Sequence, residues 1–166
     1  MNASASHQEL GRFIVTFQHV ETALTRLLVL MAKADDEAVR ILVNELQYSQ
    51  RVKTTDVLFA RFVDLLCNPD YTAKAEFHKL MNELWKLGER RNEMVHSKYA
   101  SWISVEGRSG LLRENSRLRA SKGAREEEEE ELLPESFAED FRRLSEALNE
   151  LERFRLKVID WLCPDV

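Results

Sequence analysis

The chain has 166 residues, 44% of them apolar and 32% charged, with five glycines and three prolines. That balance can bury one core of ordinary domain size and excludes collagen-like and Pro/Gly-rich disordered classes. The 24 Lys and Arg against 29 Asp and Glu leave a net charge of −5, so the whole is not a nucleic-acid coat and any phosphate binding must be local. Two cysteines, Cys67 and Cys163, are too few for a disulfide framework and have no zinc-type spacing. A reduced cytoplasmic setting is expected, with no metal and no cofactor. The first thirty residues lack the layout of a signal peptide. The apolar stretch Leu24 to Ala34 is broken by Thr25, Arg26 and Lys33, short of the roughly 20 apolar residues of a bilayer span. The expectation is a soluble protein without a membrane partner.

From Leu10 the residues Leu10, Ile14, Phe17, Leu24, Leu28 and Met31 follow alternating spacings of four and three, which predicts a long amphipathic helix. Asp35 and Asp36 are positioned to cap a shorter second helix to about Leu46. A third carries Val52, Phe59, Phe62, Val63 and Leu66 until Asn68-Pro69. Thr72 is the expected cap of the fourth, which shows the stripe Phe77, Leu80, Leu84 and Leu87 and continues through Arg91, Val95 and His96 toward Tyr99. Between Tyr99 and Pro134 the helical period is lost, so residues 99–133 are expected to be a loop insertion with at most a small hairpin near Trp102 to Val105. Within it, residues 107–125 hold Arg108, Arg113, Arg117, Arg119, Lys122 and Arg125 against Glu114 alone, a local charge of +5, and Glu126 to Glu131 follow directly. The acidic run reads either as a solvated, partly disordered stretch or as a tether masking the basic loop. Ser136 and Glu139 form the pattern of a capping box, opening a last helix through Phe137, Phe141, Leu144, Leu148, Leu151, Val158 and Leu162. The expected fold is all-α: one domain over 1–166, a four- to five-helix up-and-down bundle.

Two polar residues fall in apolar stripes. Glu21 lies between Phe17 and Leu24, and Arg91 lies four residues after Leu87. A buried carboxylate and a buried guanidinium each need a partner, and a pair between them is the simplest closure. Arg91 also belongs to the run Arg90-Arg91-Asn92-Glu93-Met94-Val95-His96, in which Asn92 and His96 share a helical face. Histidine titrates near neutrality and an arginine grips a phosphate oxygen. Together they supply acid/base chemistry at a ribose 2′-hydroxyl and a cation against charge developing on phosphorus oxygens. Five helical steps leave Arg91 and His96 about 140° apart, so a two-fold-related second copy is expected to complete the cleft. The basic residues Arg108, Arg113, Arg117 and Arg119 would steer RNA toward it. The alternative is a non-catalytic helical interaction module in which Arg91 serves only the fold.

The run Arg91-Asn92-Glu93-Met94-Val95-His96 near the end of a late helix resembles the signature of the HEPN superfamily: an arginine, commonly followed by a polar residue, then a histidine after four to six intervening residues. The following Tyr99 and Trp102 are similar to the aromatic residues that come soon after that histidine in bacterial members. The resemblance implies a dimerising helical bundle with a metal-independent endoribonuclease centre at the dimer cleft. Arg91 and His96 match the catalytic pair and Asn92 the polar position, while Glu21 matches no part of the signature. The resemblance further implies a toxin or antiphage role, with RNA as substrate and an antitoxin protein as partner. Other relatives have lost cleavage and act as binding or scaffold modules.

Overall fold

The computed structural model describes residues 3–164, apart from the side chains of residues 117, 119 and 120. Among the described residues there are five α-helices: α1 Ser4–Ala32, α2 Asp36–Asn44, α3 Tyr48–Asp64, α4 Tyr71–His96 and α5 Ala138–Leu162. Between α4 and α5 lies a sheet of three antiparallel strands, β1 Lys98–Ile103, β2 Ser109–Arg119 and β3 Ala124–Leu132, in the order β1-β2-β3. The fold is therefore mixed, which corrects the all-α expectation and replaces the 99–133 loop with a β-meander. The contacts divide the chain into two compact units. One comprises the residues up to Phe17 with Glu89–Arg143, and the other Gln18–Gly88 with Leu144 onward.

The helices follow their apolar spacing. In α1 the buried positions include Phe13, Phe17, Val20, Leu24, Leu27, Leu28 and Met31, one helical face recurring every three or four residues. Among the described residues, α1 is also long and apolar enough to cross a membrane by length and composition; the same burial pattern suits a core helix. Asp35 caps α2, its carboxylate accepting from the Ala38 amide at 2.9 Å. Asp70, and not Thr72, caps α4 by accepting from the Ala73 amide at 2.8 Å. The last helix starts through a short 3₁₀ turn, Pro134–Phe137. Ser136 Oγ accepts there from the Leu133 amide at 3.1 Å, and Glu139 pairs with Arg142, so the expected capping box does not form.

In the second unit, Phe59 and Phe77 stack with centroids 3.9 Å apart, and Phe154 packs edge-on against both. Phe59 and Phe62 also meet Trp161. Leu28, Val29, Val39 and Val43 close a second cluster around α2. Tyr48 lies over Gly88 and donates its hydroxyl to the Leu84 carbonyl at 2.7 Å. Cys67 and Cys163 are exposed and free.

In the first unit, Phe13 meets Phe17 and, edge-on, Phe141, and Met94, Leu111, Leu132 and Phe137 are buried. The β1–β2 turn uses Gly107 at φ +77 and the turn into β3 uses Gly123 at φ +58, backbone conformations that glycine adopts at no steric cost. The hexaglutamate run is strand. The register sets Glu130 opposite Arg113, Glu128 opposite Asn115 and Glu126 opposite Arg117. Glutamate is a poor strand former and like charges repel, and across from the run Arg113 binds Glu130.

Candidate functional site

The end of α4 carries the candidate residues, all within the first unit. Arg91 is half-buried and Asn92 and His96 are exposed. Arg91 Nη1 donates to Asn92 Oδ1 at 3.0 Å, and its guanidinium lies 5.3 Å from the centroid of the Phe17 ring, within the range of a cation–π contact. His96 is the last residue of α4. It opens onto a cleft of about 370 Å³ lined also by Lys98, Glu114, Arg125, Glu127 and Glu129. Arg91 and Asn92 are not among the residues lining that cleft. The chain thus joins Arg91 to Asn92 and gives His96 a separate, strongly charged surface.

Directly before Arg91, Arg90 anchors a part-buried ionic network. Its Nη1 and Nη2 donate to the two Glu130 oxygens at 2.8 and 2.7 Å, and its Nε donates to Asp140 Oδ2 at 3.2 Å. Arg113 Nε donates to Glu130 Oε2 at 2.7 Å, and its Nη1 to Ser97 Oγ at 3.2 Å. Ser97 Oγ in turn donates to the Glu93 carbonyl at 2.5 Å. Burial alone would raise the Glu130 pKa. The hydrogen bond from Arg90 and the charges of Arg90 and Arg113 outweigh it and hold this carboxyl below the usual range. Burial likewise works against the Arg90 charge, and Glu130 and Asp140 overcome it, raising the guanidinium above its ordinary value. Tyr99, whose hydroxyl donates to the Met94 carbonyl at 2.6 Å, is pushed up by burial. This network ties α4, the sheet and the first turn of α5 together beneath the Arg91–His96 segment. Sequence spacing had no means of pairing Arg90 with a glutamate forty positions on.

The other expected site residues are dispersed. Arg113 is buried, with its guanidinium turned into the network instead of toward solvent. Arg108 is exposed and pairs with Glu106 and Glu135. Arg117 and Arg119 occupy β2, in register with Glu126 and Ala124; their side chains lie outside the described residues. Glu21 belongs to the second unit, where it lines a shallow cleft with Gln18, Thr22, Thr25, Arg40 and Arg51. Trp102 is half-buried in β1. Among the described residues no group of three or more His, Cys, Asp or Glu side chains is placed to hold a metal ion.

Fold and site together define a class: a five-helix protein with a β-meander, bearing an arginine–asparagine–histidine segment at the end of a long helix. A scan of protein-family models, a comparison with curated proteins and a comparison with solved structures each find no match.

Proposed function

We propose that the chain is a metal-independent endoribonuclease of HEPN-like character, acting as a homodimer in the cytoplasm, with Arg91, Asn92 and His96 as its working residues. The observation that carries the reading is the helix end itself. His96 is exposed on a cleft, and Arg91 is held one helical step from Asn92 by a side-chain hydrogen bond and by the Phe17 ring. An imidazole so exposed can take the proton of a ribose 2′-hydroxyl as that oxygen attacks phosphorus. The guanidinium can meet the charge on the non-bridging oxygens. The 5′-oxygen leaves with a proton from a general acid, and a 2′,3′-cyclic phosphate remains. Within one chain Arg91 does not line the His96 cleft, so a second copy would complete the centre. A toxin or antiphage role, with an antitoxin as partner, extends this reading. The test is cleavage of a mixed RNA in EDTA with analysis of the product ends. Cyclic or 3′-phosphate termini support the reading, and cleavage that requires magnesium opposes it.

A second reading is favoured by one observation. The His96 cleft is walled by Glu114, Glu127, Glu128 and Glu129 against Lys98 and Arg125, and a predominantly carboxylate wall repels a polyanion. On that reading the chain is a non-catalytic interaction module and Arg91 is a structural residue seated on Phe17. Arg91→Ala would then lower the melting temperature, and no RNA would be cut by the parent protein.

A further inference from the structure

Strand β3 lies at the edge of the sheet, and among the described residues no strand pairs with its outer side. Nine residues at about 3.4 Å each make an edge about 30 Å long, and such an edge presents backbone donors and acceptors that a further strand can use. The β2–β3 register decides what kind of strand. On one face of the sheet Arg113 meets Glu130, and Arg117 is set opposite Glu126, so basic and acidic positions match. The opposite face carries Glu114, Glu127, Glu129 and Glu131 against Lys98 and Arg125. Glu114 and Glu129 stand directly opposite each other in the register, a destabilising like-charge pair. Glu114, Glu129 and Glu131 are exposed, with no hydrogen bond or ion pair among the described residues. Arg125 alone is engaged there, with Glu127.

We propose that the outer edge of β3 accepts an extended, arginine- or lysine-rich segment of a partner protein as a fourth strand. The sheet already shows this pairing once, because arginine-bearing β2 holds the glutamate strand from its inner side. A second copy of β3 is the wrong occupant: two such edges would bring glutamates against glutamates across the junction. RNA has no peptide amides and cannot add as a strand. The proposal does not depend on the ribonuclease reading.

The probe is a fluorescent nine-residue peptide alternating arginine and threonine, titrated against the full chain by anisotropy at low salt. A control of the same sequence with every backbone amide N-methylated keeps the charge and lacks the donors that a strand needs. The proposal expects saturable binding of the first peptide at least tenfold tighter than the control. It also expects slower amide exchange along Ala124–Leu132 and at least a tenfold loss in the Glu129→Gln/Glu131→Gln variant. Equal affinity for the two peptides would reduce the effect to loose charge attraction and overturn strand addition. Absent binding or unchanged affinity in the variant would also overturn it.

Discussion

Glu130 and Glu129 are neighbours in a run of six identical residues, yet the structure gives them opposite roles, and Glu130→Gln against Glu129→Gln is a sharp comparison. Glu130 is 31% exposed and accepts from Arg90 twice and from Arg113 once, while the Arg113 side chain is 6% exposed. Removing the charge leaves Arg113 with Ser97 and Arg90 with Asp140 and, at 3.8 Å, Glu93. Orphaning one member of a buried ion pair costs about 3–5 kcal/mol. The partial exposure of Glu130 brings the expectation to about 2–4 kcal/mol. In a chain of this length that is roughly 5–15 °C in melting temperature. Glu129→Gln removes a surface carboxylate facing Glu114 and should change stability by less than about 0.5 kcal/mol, or raise it. Urea unfolding followed by far-ultraviolet circular dichroism measures both. Similar losses in the two variants would refute the assignment of Glu130 as the buried hub of the run.

The same carboxyl predicts a pH dependence. Its pKa is lowered in the folded chain, so its stabilisation is complete above the unfolded value of about 4.3 and fades as the pH falls through the lower folded value. Melting curves from pH 6 downward should therefore converge for the parent and Glu130→Gln in acid, and parallel curves would contradict this. Gly88→Ala should destabilise by about 1–2 kcal/mol despite the better helix former, because its Cβ would come within 2.2 Å of the Tyr48 ring. Gly11→Ala, with nothing within 4 Å of the added Cβ, should stabilise by up to about 1 kcal/mol. Thermal melts of the two glycine variants moving in the same direction would contradict that packing. Asp35→Ala should cost about 1 kcal/mol as a lost helix cap, and an unchanged urea midpoint would count against the cap.

The helices were legible because one face of each repeats every three or four residues, as Phe77, Leu84 and Leu87 do in α4. The sheet was not, because its strands carry no apolar alternation. β3 is almost wholly glutamate, and β2 mixes Leu111, Leu112, Arg113 and Glu114. What alternates along β3 is burial, with Glu126, Glu128 and Glu130 more covered than Glu127, Glu129 and Glu131. That difference belongs to the strand across from it and not to residue type. Gly107 and Gly123 are the two turns of the meander, and Gly110 sits inside β2 opposite Trp102. At the site, the adjacency of Arg91 and Asn92 and the exposure of His96 follow from helical geometry. The burial of Arg113 does not, since its partner Glu130 is supplied by chain folding seventeen positions away.

Single-turnover RNA cleavage in EDTA, comparing the parent with His96→Ala, puts the role of the imidazole to the test. His96 is exposed, so the variant should melt as the parent does, while loss of a positioned acid or base removes about 10²–10⁴-fold of rate. A drop of that size at unchanged melting temperature is the predicted result. Cleavage undiminished in His96→Ala, or no cleavage by the parent, would refute the role of His96.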